Sequence, residues 1–130
     1  MISFIWQLPQ NLIGFLVLLF NLKKYEKITR DGITFYYVKH VNDCGISLGN
    51  FIFLDSDKSI SAFALKHEYG HQLQSKKLGP LYLLIIGIPS AVSNLIYRLI
   101  KNKLANPQKW YYSLPWEAWA NKLGNAPKIF

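Results

Sequence analysis

Cysteine is almost missing from this 130-residue chain: Cys44 stands alone, which excludes an intramolecular disulfide and any zinc cage built from thiolates. Charge is scarce too, at 17% of residues against roughly 25% in ordinary globular domains. Acids are the scarcer sign, seven against fifteen bases. No repeat recurs, no stretch is of low complexity, and the length suits a single domain over residues 1–130. The apolar N-terminus lacks a basic leader and a small-residue cleavage site, so it is expected to stay in the mature protein.

What is abundant is apolar: hydrophobic residues make up 51% and aromatics 15% of the chain, with a net charge of +8. The bases gather beside the apolar runs. Lys23, Lys24, Lys27 and Arg30 follow the first run, Lys76 and Lys77 precede the second, and Arg98, Lys101 and Lys103 close it. That placement fits membrane flanks, and no nucleic-acid-binding signature accompanies it, so nucleic acid is not an expected partner.

Residues 1–22 form the first apolar segment, long enough to approach a spanning helix. Gln7, Pro9, Gln10 and Asn11 interrupt it, leaving open a short interfacial helix followed by a membrane-dipping one, or the buried core helix of a soluble protein. Two β-branched and aromatic runs, Ile33–His40 and Gly45–Asp55, read as paired strands over 33–55, with turn chemistry at Val41–Cys44 and either a bulge or a tighter turn at Gly49-Asn50. Asp57, Ser59 and Ser61 offer caps for a helix over 59–77. Residues 78–100 are a second membrane segment, expected to be a re-entrant hairpin broken at Gly87–Ser90, with both basic ends on the cytoplasmic side. A final helix over 113–124 starts at Ser113-Leu114-Pro115 and stops near Gly124.

The chemistry lies in His67-Glu68-Tyr69-Gly70-His71. Imidazoles at i and i+4 share a helix face and can converge on one metal, while Glu68 projects about 100° away, where it reaches a water rather than the metal. Two imidazoles plus a carboxylate and an open position are the usual hydrolytic zinc site, with Glu68, inside the motif, as general base. The bland reading is an amphipathic helix with two satisfied histidines. Against it stands the distribution of acids: after Lys58 only Glu68 and Glu117 remain, and isolated carboxylates among basic and apolar segments call for a partner or a cation. Glu117 is therefore the expected third ligand, with Asn121, four residues on, orienting His67 or His71. A dipole-favoured helix N-terminal glutamate is the plain alternative for Glu117, and His40 the alternative ligand.

HEYGH with the downstream Glu117-x-x-x-Asn121 resembles the gluzincins, zinc peptidases in which a later helix supplies the glutamate and, four residues on, usually an aspartate. Asn121 departs from that aspartate and brings no charge. His67 to Ser90 and Trp6 to Gly14 are also similar to small bacterial membrane-associated members. The resemblance implies a zinc-dependent peptidase acting on a peptide or protein substrate at a membrane, the bacterial inner membrane, and the basic flanks lead to the expectation that its site is on the cytoplasmic side. It implies an edge strand within Gly45–Asp55 that receives substrate, and an oxyanion stabiliser among Tyr111, Tyr112 and His40. The expected fold is α+β, a zincin-like mini-domain with a small antiparallel sheet, the motif helix and two membrane-associated apolar helical segments. The rival is a non-catalytic basic protein that binds or permeabilises lipid.

Overall fold

A computed structural model of the protein describes residues 2–20, 25–30, 32–38, 45–55 and 62–127. His40, Cys44, Lys23, Lys24 and the caps expected at Asp57, Ser59 and Ser61 lie outside these residues. The first apolar run is two helices, α1 (Ile2–Trp6) and α2 (Leu8–Phe20), separated at Gln7. The 13 residues of α2 rise only about 20 Å, short of a hydrocarbon core of about 30 Å. Its polar side faces inward: Gln10 and Asn11 are buried, while Leu12, Phe15, Leu16 and Leu19 are exposed. Gln10 Nε2 donates to Ser75 Oγ at 2.7 Å and to the Gly79 carbonyl at 2.8 Å, which ties α2 to the end of the motif helix.

Four strands, β1 (Tyr25–Arg30), β2 (Ile33–Val38), β3 (Ile46–Leu48) and β4 (Phe51–Asp55), make one sheet in the order β1-β2-β4-β3. The expected antiparallel sheet is corrected to a mixed one, because β2 and β4 run parallel, with Tyr36 opposite Phe53. The two runs do not form one hairpin. The second run folds on itself at Gly49-Asn50, where Gly49 takes a φ of 64° that a side chain would resist, and Asn11 Oδ1 accepts the Asn50 N–H at 2.7 Å. This puts β4 in the sheet interior, as its residues Ile52, Phe53 and Leu54 require, being buried whichever face they point to. Lys27 and Arg30 are also reassigned. They lie on β1, an exposed edge strand paired antiparallel with β2, and charge on an edge discourages pairing with other chains.

The sheet has an apolar cluster on each face. Ile33, Phe35, Ile52 and Leu54 pack with Leu65 and Tyr69 of helix α3 (Ala62–Leu78), and Phe53 and Tyr36 pack with Val17 and Leu18 of α2 on the other side. After α3 come a 3-10 turn at Gly79–Leu81, a π turn at Leu83–Gly87 and helix α4 (Ile88–Ile100). The expected break at Gly87–Ser90 is absent: Gly87 (φ −59°, ψ −51°) and Ile88 (φ −67°, ψ −50°) are helical. Pro89 has no N–H and crowds the preceding turn, and a widened turn absorbs that strain without ending the helix. Leu83–Lys103 is thus one helix, long and apolar enough to cross a membrane. The re-entrant hairpin does not form, and the cytoplasmic placement of both its ends loses its basis. Two short helices follow, α5 (Pro107–Tyr112) and α6 (Pro115–Gly124).

Candidate metal centre

Helices α3 and α6 meet with unusually little between them. A Cβ built at Gly70 would run into the Ala120 carbonyl, and one at Gly124 into the Lys66 carbonyl. Glycine at both points lets the backbones touch, and the histidines of α3 then face the first turn of α6. That turn begins after Leu114, with Pro115 in its first position, and α6 closes at Asn125 in the left-handed region (φ 54°). Ser113, expected as the cap, instead ends α5 and donates to the Trp110 carbonyl at 2.7 Å.

Across this interface His67 Nε2 and His71 Nε2 lie 3.1 and 2.9 Å from the same atom, Glu117 Oε2. The ligand atoms of the three residues fall within 4.8 Å of one another, and all three residues are buried. Their far sides are held. His67 Nδ1 donates to Asn121 Oδ1 at 2.6 Å and His71 Nδ1 to Gln74 Oε1 at 2.7 Å. The Gln74 amide cannot turn over without loss, since its Nε2 donates to the Trp116 carbonyl at 2.8 Å. With protons on both Nδ1 atoms, both Nε2 lone pairs point at the carboxylate oxygen. Three acceptors converging in a buried space fit a cation between them. This group could hold a metal ion.

The other oxygen, Glu117 Oε1, receives the hydroxyls of Ser90 at 2.5 Å and Tyr111 at 3.0 Å. Burial would push the Glu117 carboxyl up, but hydrogen bonds from His67 and His71 outweigh it and hold the group well below the usual carboxylate range. Burial pulls the His71 imidazole down, yet its bond to Glu117 and the charges of Glu68 and Glu117 leave it above its ordinary value. A proton on His71 Nε2 would meet the same Glu117 oxygen that a cation would. Glu68 is buried beside this cluster, and burial raises its carboxyl, with the two histidines opposing. It lies against Gly45, the residue before β3, which leaves just enough room: a Cβ there would strike the Glu68 carboxylate.

The structure thus brings His67, His71, Glu117 and Asn121 together, with Glu68 adjacent. Of the oxyanion candidates, Tyr111 spends its hydroxyl on Glu117, Tyr112 packs its ring edge-on at 4.9 Å from that of His67, and His40 is outside the described residues. Sequence reasoning missed Gln74, Ser90 and Tyr82. Gln74 was within reach, three residues after His71 on the same helix face. Ser90 was hidden by the expected break. Tyr82 is buried, and its hydroxyl donates to the Ser47 carbonyl of β3 at 3.3 Å, a contact no spacing announces. Compared with family models, curated proteins and solved structures, the chain matches none.

Proposed function

We propose that this chain is a membrane-associated zinc peptidase of gluzincin type, with His67, His71 and Glu117 as ligands and Glu68 as general base. The observation that carries the reading is the convergence of two imidazole Nε2 atoms and one carboxylate oxygen in a buried site, their far sides fixed by Asn121, Gln74, Ser90 and Tyr111. Two neutral imidazoles and a carboxylate favour zinc over harder cations, which prefer all-oxygen shells. Zinc held by these three residues would supply Lewis acidity, which lowers the pKa of water towards about 7.

The remaining chemistry belongs to the chain. Glu68, with its carboxyl raised by burial, takes the proton of the attacking water and returns it to the leaving amine nitrogen. Ser90 and Tyr111 occupy Oε1 of Glu117, so Oε2 is the oxygen that would face a metal beside the two imidazoles. Asn121 and Gln74 keep the imidazoles from turning. Exposed apolar helices alone would also suit the lipid-binding rival, but such a protein has no use for two buried carboxylates facing two histidines. The test is metal content with hydrolysis: near-stoichiometric zinc and zinc-dependent cleavage of a peptide library support the enzyme, and protein free of both would end this reading.

A further inference from the structure

The metal centre is fastened to the apolar helix. Besides the Ser90 hydroxyl on Glu117, Trp116 Nε1 donates to Ser93 Oγ at 3.2 Å, and the rings of Tyr97 and Tyr111 meet at 5.5 Å. Ser90, Ser93 and Tyr97 form one side of α4, and the ligand-bearing segment packs there. The opposite side, Ile88, Val92, Leu95 and Leu99, continues back to Leu84 in the π turn, and these residues are between 50% and 72% exposed.

A bilayer is the occupant this side fits. From Leu83 to Ile100 the helix rises about 27 Å, close to a hydrocarbon thickness of about 30 Å. No charged residue lies between Leu78 and Tyr97, whereas Lys76 and Lys77 precede the stretch and Arg98, Lys101 and Lys103 close it. Trp6 marks the first end, its Nε1 donating to the Lys76 carbonyl at 3.1 Å. Apolar length bounded by lysines and an interfacial tryptophan is the pattern lipid selects.

From these contacts we infer that the substrates are polypeptides already inserted in the membrane, cleaved at a point inside the lipid layer. The inference rests on the peptidase reading and adds the place and class of substrate. Ser90 is seven residues beyond Leu83, about 10 Å along the helix, so a carboxylate bonded to Ser90 sits about 10 Å below the start of the apolar length. A water-soluble peptide would have to leave water to reach it. A segment lying in the same lipid layer needs only to diffuse sideways.

The experiment uses the zinc-loaded protein in phosphatidylcholine and phosphatidylglycerol vesicles, with single nitroxides in a Cys44→Ser background at Ala118→Cys on α6, Val92→Cys on α4 and Thr29→Cys on β1. Oxygen should relax the first two labels, and a water-soluble nickel chelate only the third. Equal access of the chelate to Ala118 and Thr29 would overturn the placement, and spin coupling between Val92 labels would assign the stripe to a second copy instead. In parallel, one cleavable sequence is offered free, inside the lipid depth of a spanning helix, and on the same helix beyond a long hydrophilic spacer. The inserted form should be cut faster by on the order of 100-fold, the scale of a misplaced reacting group. Equal cleavage of the spacer form would overturn the inference alone. Absence of all cleavage, with zinc bound and Ala118 at lipid depth, would instead remove the peptidase reading beneath it.

Discussion

Two halves of this molecule obey opposite rules. Around the sheet, Phe35, Ile52 and Leu54 are inside, while Glu26, Lys27, Thr29 and Arg30 of the edge strand face out. Around α2 and α4 the order is inverted: Gln10, Asn11, Gln74, Ser75 and Ser93 are inside, and Leu12, Phe15, Leu84, Leu95 and Leu99 are outside. The proposed membrane setting would account for the inversion, with water on one side and lipid on the other, and the His67, His71 and Glu117 cluster is joined to α4 of the inverted half through Ser90.

Bound zinc is the first measure of whether the polar interior of the inverted half serves a metal. Alanine at His67, His71 or Glu117 should each remove most of the bound zinc, since a three-ligand site has no spare donor. Metal analysis of the purified variants decides it, and full zinc in Glu117→Ala with loss in His40→Ala would make His40 the third ligand. Glu68→Gln should keep the metal and lower peptide hydrolysis by about two to four orders of magnitude, the range of positioned acid-base catalysis, and undiminished turnover would take the base away from Glu68.

The two halves should also differ in how much one side chain contributes to stability. Phe35→Ala on the sheet side should cost about 3–5 kcal/mol, the range for an emptied aromatic site, whereas Leu95→Ala should change stability in detergent by no more than about 0.5 kcal/mol. Denaturant titration of both reads the difference, and equal losses would mean that α4 is buried after all. The smallest effects belong to the groups behind the ligands. Asn121→Ala and Gln74→Ala should weaken zinc binding by about 10 to 100-fold, measured by competition with a chelator. Affinity should also fall as pH drops, because zinc must displace a proton from His71, whose imidazole is raised by Glu117. That loss begins at a higher pH than for an ordinary histidine.

Much of the site was written in the sequence because its signals are local. His67 and His71 share a face by helical period, and Glu117 stood out as one of two acids in a basic, apolar half. The supporting groups were legible only where the same period reached them, as it did for Asn121 and would have for Gln74. The sheet was harder. YEKITR (Tyr25–Arg30) carries charges that looked like a membrane flank, and nothing in its pattern told of an edge strand. The parallel pairing of β2 with β4 is a long-range choice set by which strand needs two covered faces. Gly87 and Pro89 promised a break because both weaken helices, but a π turn accommodates them.

That turn has a consequence for insertions and deletions. Eight residues at about 100° each would leave Ser90 about 80° round the helix from Tyr82, yet the Tyr82 hydroxyl reaches β3 while Ser90 reaches Glu117, on the same body of the protein. A π turn takes in roughly one residue more than an α turn, and with that residue absorbed the offset closes to about 20°. Leu83–Gly87 therefore carries a spare residue. Deleting one residue there should relax the turn to ordinary α-helix and leave zinc content nearly unchanged, whereas deleting two should swing Ser90 off Glu117 and lower it.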